Sequence, residues 1–82
     1  MEDWGKYNLK FRYMMLSRLV MDCNYYLGNG GRSVNSLWAR TEEREIAVMR
    51  AIWNTFDPED RPEWLTTEQI DEYARQMGVD HD

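Results

Sequence analysis

Between Tyr7 and Leu27 the chain contains neither Pro nor Gly, and Leu9, Tyr13, Leu16, Val20, Cys23 and Leu27 recur at steps of four and three. That spacing is the helical period and predicts one helix of about six turns. Met15, Leu19 and Tyr26 widen its apolar stripe, while Lys10, Ser17, Arg18 and Asn24 are left for solvent. Gly28 follows the last periodic residue, where a left-handed cap needs no Cβ. Residues 28–36, GNGGRSVNS, form a connection in which Ser33 is a candidate N-cap for a short turn carrying Leu37 and Trp38. A second helix is expected from Thr41, its candidate N-cap, to Asn54 or Phe56. Glu42, Glu43 and Glu45 suit the positive end of its dipole, and Ile46, Met49, Trp53 and Phe56 carry its period with Ile52 and Ala47 beside them. Asp57-Pro58 stops it, and DPEDRPEW reads as a polar loop. Thr66 and Gln69 then stand at capping-box spacing, with Leu65 and Ile70 placed as a hydrophobic staple. The third helix carries Ile70, Tyr73, Ala74 and Met77, and Gly78 closes it.

No alternating strand of useful length interrupts this series, so the expected fold class is all-α, a small three-helix bundle with Val34–Ala39 as a candidate fourth short helix. Residues 1–82 are read as a single domain with an ordered core over about 7–77 and frayed ends at 1–5 and 79–82. A domain of this length buries roughly 60–65% of the surface its unfolded chain exposes. Its stability is on the order of 4–12 kcal/mol.

Composition changes this picture in three ways. Four Trp, five Tyr and two Phe supply hydrophobic mass for a core and also the residue types that anchor protein interfaces. The single cysteine cannot close an internal disulfide, no signal-like segment precedes the first helix, and the apolar runs are far shorter than a membrane span; the expectation is a cytoplasmic chain without membrane contact. The net charge of −5 hides an asymmetry: residues 1–40 carry +3 and residues 41–82 carry −8. Such a division suits either a nucleic-acid face backed by an acidic one or two solvated surfaces that attract each other.

Catalytic chemistry finds little support. The only histidine, His81, is next to last, and a zinc site needs several Cys or His ligands where this chain has one of each. Asp57-Pro58-Glu59-Asp60 lacks the spacing of a calcium hand and reads as a solvated helix stop. Gly28, Gly30 and Gly31 follow a helix rather than a strand, without the lysine of a phosphate loop, and read as turn residues. Cys23 lies on the apolar stripe with Asp22 beside it and reads as a core thiol. The chain is therefore expected to be no enzyme, with no cofactor and no metal. Arg32 has two readings: it closes the corner by pairing with Asp22 or stacking on Trp38, Tyr25 or Tyr26, or it points outward for a phosphate or carboxylate.

DCNYYLGNGGRSVNSLWA at Asp22–Ala39, with PEWLTTEQIDEY at Pro62–Tyr73, resembles the large polyvalent protein-associated domain family, type eleven. The resemblance runs from about Tyr7 to Met77. It implies a small domain of the kind found within giant multi-domain proteins of phages and conjugative elements and as short standalone proteins. It carries over no catalytic residues.

The function expected is a non-enzymatic interaction domain that binds a host or element-encoded protein, with counter-defence as a candidate setting. Its candidate contact residues are Asn29, Arg32, Trp38 and Trp64. The alternative is a nucleic-acid-binding accessory domain using a basic face of Lys6, Lys10, Arg12, Arg18, Arg32 and Arg40. A homodimer is open, because a domain this small gains burial by pairing.

Overall fold

Helix α1 spans Leu9–Leu27 and starts where Asn8 accepts a hydrogen bond from the Phe11 N–H at 2.8 Å. This cap places the start two residues beyond Tyr7, which instead closes a single 3₁₀ turn at Trp4–Lys6. The computed structural model describes residues 3–79, so the expected fraying of Met1, Glu2 and Asp80–Asp82, with His81, lies outside the described residues. The described end residues make defined contacts. Asp3 caps the first turn, Trp4 is buried, and Val79 donates to the Ala74 carbonyl at 2.8 Å.

The end of α1 differs in kind from the expected cap. Gly28 has φ −101°, outside the left-handed region, and the reversal falls at Gly31 (φ 62°) and Arg32 (φ 60°). The freed carbonyls accept in sequence: those of Asn24 and Tyr25 from the Gly28 N–H, that of Tyr25 also from the Gly30 N–H, and that of Tyr26 from the Arg32 N–H. Gly30 is the tight point, because a Cβ there would lie 2.8 Å from the Tyr25 carbonyl oxygen and 2.9 Å from its ring. Gly31 faces open space and needs only the left-handed backbone. Gly30→Ala is therefore expected to cost about 1–3 kcal/mol through overpacking, and Gly31→Ala about 1 kcal/mol through backbone strain. Urea unfolding of the two variants measures the order.

Ser33 caps the next segment as expected, accepting from Asn35 N–H at 3.3 Å, but the element is a 3₁₀ turn at Val34–Ser36 rather than a helix reaching Ala39. It delivers Leu37 into the core. Helix α2, Glu42–Trp53, is capped by Thr41 through Arg44 N–H at 3.1 Å. Ala47, expected beside the apolar stripe, faces solvent, and Glu45 occupies the inward position instead. Pro58–Asp60 is another 3₁₀ turn. Helix α3, Thr67–Gln76, has the expected capping box, Thr66 and Gln69 each accepting from the other's backbone at 3.2 and 2.8 Å. Leu65 and Ile70 are both buried as the staple requires, and Gly78 (φ 78°) is the left-handed closure.

Helix α2 sits between the other two and packs on both. Leu16, Leu19 and Cys23 of α1, Ile46, Met49 and Ile52 of α2, and Ile70 and Ala74 of α3 form one core with Trp4, Leu37, Phe56 and Leu65. Among the described residues there is no strand, and the fold is a small all-α three-helix bundle.

Candidate functional site

The glycine corner is tied down from inside. Arg32 donates from Nη2 to the Gln76 carbonyl at 2.8 Å, and its guanidinium lies 5.8 Å from the Tyr26 ring centroid. Gln76 ends α3, so the cation also meets the negative end of that helix dipole. Of the partners expected for Arg32, Tyr26 is found. Asp22 is engaged elsewhere: Oδ1 with Arg18 Nε at 3.5 Å, and Oδ2 accepting from the Trp38 N–H at 2.9 Å.

The next N–H, that of Ala39, is held by Glu45 Oε1 at 3.0 Å. Two carboxylates from two helices thus grip consecutive peptide groups and fix the Leu37–Ala39 segment across α1 and α2. Glu45 is fully shielded, and its Oε2 has no hydrogen-bond donor. Burial, and secondly hydrogen bonding and charge from Asp22, push the Glu45 carboxyl up to about 7 against the pull of the Ala39 N–H. A carboxyl raised in this way serves acid–base catalysis when a substrate reaches it. Here no solvent contact reaches Glu45, and both carboxylates hold backbone. Burial, with Glu45 and Asp22, likewise pushes the Cys23 thiol up to about 12; it lies 3.6 Å from the Met49 sulfur as a packed, unreactive group. The carboxylates of Asp57, Glu59 and Asp60 lie within 4.8 Å of one another at the surface, an arrangement that solvated acids also adopt.

The four candidate contact residues stand on three separate segments of the chain. Asn29 and Arg32 lie exposed at the glycine corner. Trp38, with its N–H on Asp22, stands edge-on to Trp4 at 6.1 Å between centroids. Trp64, 49% exposed, borders a shallow cleft of about 430 Å³ lined by Tyr13, Met14, Ser17, Arg18 and Met21.

The six candidate basic residues have different surroundings. Arg12 turns inward, donating to the Thr55 carbonyl and Oγ1 at 3.2 and 3.0 Å with its guanidinium over Phe56. Arg18 engages Asp22 and Arg32 engages Gln76. Lys6 lies over the Tyr7 ring, Lys10 is exposed on α1, and Arg40 takes φ 70° at the entry to α2.

The most exposed apolar surface involves residues absent from both candidate sets. Phe11, Met14, Met21 and Tyr25 are exposed at 40, 61, 66 and 54%, and with Arg18 they step along α1 by three and four. This is a second stripe on the same helix, opposite the buried one. The helical repeat puts Asp22, and so Trp38, along one edge of the stripe, and Ser17 and Trp64 along the other. The signal was present in the sequence as a repeat of the same period.

These features define a small helical domain whose distinctive surface is an apolar helix face between two tryptophans. The family model of large polyvalent protein-associated domain 11 matches residues 9–77, and the chain belongs to that family. Comparison with curated proteins and with solved structures gives no match. Among the described residues no helix is long and apolar enough to cross a membrane.

Proposed function

We propose that this chain is a non-enzymatic interaction domain that binds a protein of a bacterial host or of the mobile element that encodes it, acting in the cytoplasm, with counter-defence as the setting the family context suggests. The observation that carries this reading is the outward stripe of α1, Phe11, Met14, Met21 and Tyr25, bordered by Trp38 and Trp64. A small domain rarely leaves so many large apolar side chains together in water unless a partner covers them. Methionine and tryptophan are also suited to that task, the one adaptable and the other a rigid anchor. The nucleic-acid reading is weaker because Arg12 is turned into the fold on Thr55 and Phe56 and Arg32 is engaged with Gln76, which leaves fewer of the six cations for phosphates.

The test is affinity capture from bacterial lysate with the tagged chain, with and without nuclease and at two salt concentrations, read by mass spectrometry. A nuclease-resistant protein recovered by the wild type and lost by Met14→Glu/Met21→Glu and by Trp64→Ala, each folded by circular dichroism, is the expected result. Arg32→Ala and Trp38→Ala show whether the corner and the second tryptophan belong to the same contact. Recovery that vanishes with nuclease or salt overturns the reading in favour of nucleic acid.

A further inference from the structure

Resting on the reading of α1 as a protein-binding face, we infer that its occupant is an acidic amphipathic helix, laid along α1 in the groove beside Trp64. Three observations select that chemistry. The first is spacing: Phe11, Met14, Arg18, Met21 and Tyr25 repeat by three and four, the pattern into which the side-chain ridges of a second helix pack. The cleft beside Trp64 supplies the concave flank.

The second is charge. The exposed residues that α1 itself gives to this face are Lys10, Phe11, Met14, Ser17, Arg18, Met21, Asn24 and Tyr25, two cations and no carboxylate, in a chain of net charge −5; Glu72, which shares a cleft with Asn24, is paired with Arg75. Asp22, on the edge nearest Arg18, is buried and committed to the Trp38 N–H. The Arg18 side chain is 61% exposed and reaches Asp22 only at 3.5 Å, so a partner carboxylate can engage it from outside. Among the described residues that line the cleft, Arg18 is the charged one.

The third disfavours the simplest rival, a second copy. Arg18 is the middle member of the five-residue stripe, so a two-fold pairing that overlaps the whole stripe, parallel or antiparallel, sets Arg18 against Arg18. Sliding antiparallel copies by about one turn separates the arginines but leaves Phe11 or Tyr25 outside the overlap. A lipid surface is also disfavoured, since two cations on this face stand against the repulsion of the net negative chain.

The experiment is a selection from a displayed library of amphipathic helices, apolar positions held at three-four spacing and flanking positions drawn from Glu, Lys, Gln and Ala, with the full chain as bait. Binders are expected to be enriched in Glu over Lys at the flanking positions and to weaken by about tenfold or more against Met14→Glu/Met21→Glu. Against Lys10→Gln/Arg18→Gln, folded by circular dichroism, the acidic preference is expected to disappear while apolar selection persists. Absence of binders that depend on Met14 and Met21, or enrichment of Lys, overturns the inference. So does a wild-type dimer in sedimentation equilibrium that Met21→Glu dissociates, or binding to vesicles of anionic phospholipid through the same face. A lysate partner that needs Met14 and Met21 but presents no acidic helix refutes this inference and leaves the protein-interaction reading standing.

Discussion

Trp4→Ala is expected to destabilise the domain by about 3–5 kcal/mol, the range for removing a large buried aromatic. Trp4 is buried although it lies five residues before the first residue matched by the family model. Its ring meets Tyr7 at 5.7 Å and Trp38 at 6.1 Å, and its turn packs on α2. The indole thus joins the core beside α2 and packs edge-on against Trp38. In a domain with a total stability on the order of 4–12 kcal/mol, that loss removes a large share of the margin. Urea unfolding followed by circular dichroism measures it. A loss below about 1 kcal/mol, the scale of ordinary surface changes, contradicts the packing described for Trp4.

Glu45→Gln is expected to stabilise the domain above neutral pH and to flatten its pH dependence. The Glu45 carboxyl is raised from its ordinary value of 4.5 to about 7, chiefly by burial and then by Asp22. The folded state therefore holds a proton that the unfolded state releases, and stability falls as pH rises between those two values. The contribution is fully present below the unfolded pKa and lost as pH passes the folded one, with an amplitude on the order of 1–3 kcal/mol. Glutamine keeps the acceptor for the Ala39 N–H and supplies a donor on the Asp22 side without carrying charge. The measurement is the urea midpoint of wild type and variant at pH 5 and pH 8. A wild type equally stable at both pH values contradicts this account of Glu45.

The caps show where the sequence was legible. Ser33, Thr41 and the Thr66–Gln69 box are hydrogen bonds between residues two or three apart, so local pattern specifies them. Gly28 shows a limit within the same class: its neighbours Gly30 and Gly31 offered the chain several places to reverse, and the positive φ falls at Gly31 and Arg32 while Gly30 meets the close approach of Tyr25. Trp4, Glu45 and Arg12 were not legible because their roles depend on segments distant in sequence, such as Thr55 for Arg12. The α1 face had a different obstacle. Helix α1 is apolar on two opposite sides with the same period, and periodicity alone does not say which side the remainder of the chain covers. Trp64 and Trp38 were singled out by residue type, whereas the stripe between them emerged only once α2 and α3 had taken the other side.

The central claim is that the outward face of α1 is a protein-binding surface, and methionine methyl NMR tests it most directly. Met14 and Met21 lie on that face, while Met49 and Met77 are buried in the core. With the protein captured from lysate added to the labelled chain, the expected result is displacement or broadening of the Met14 and Met21 methyl signals with those of Met49 and Met77 unmoved. Unchanged Met14 and Met21 signals in a saturated complex would place the contact elsewhere and contradict the claim.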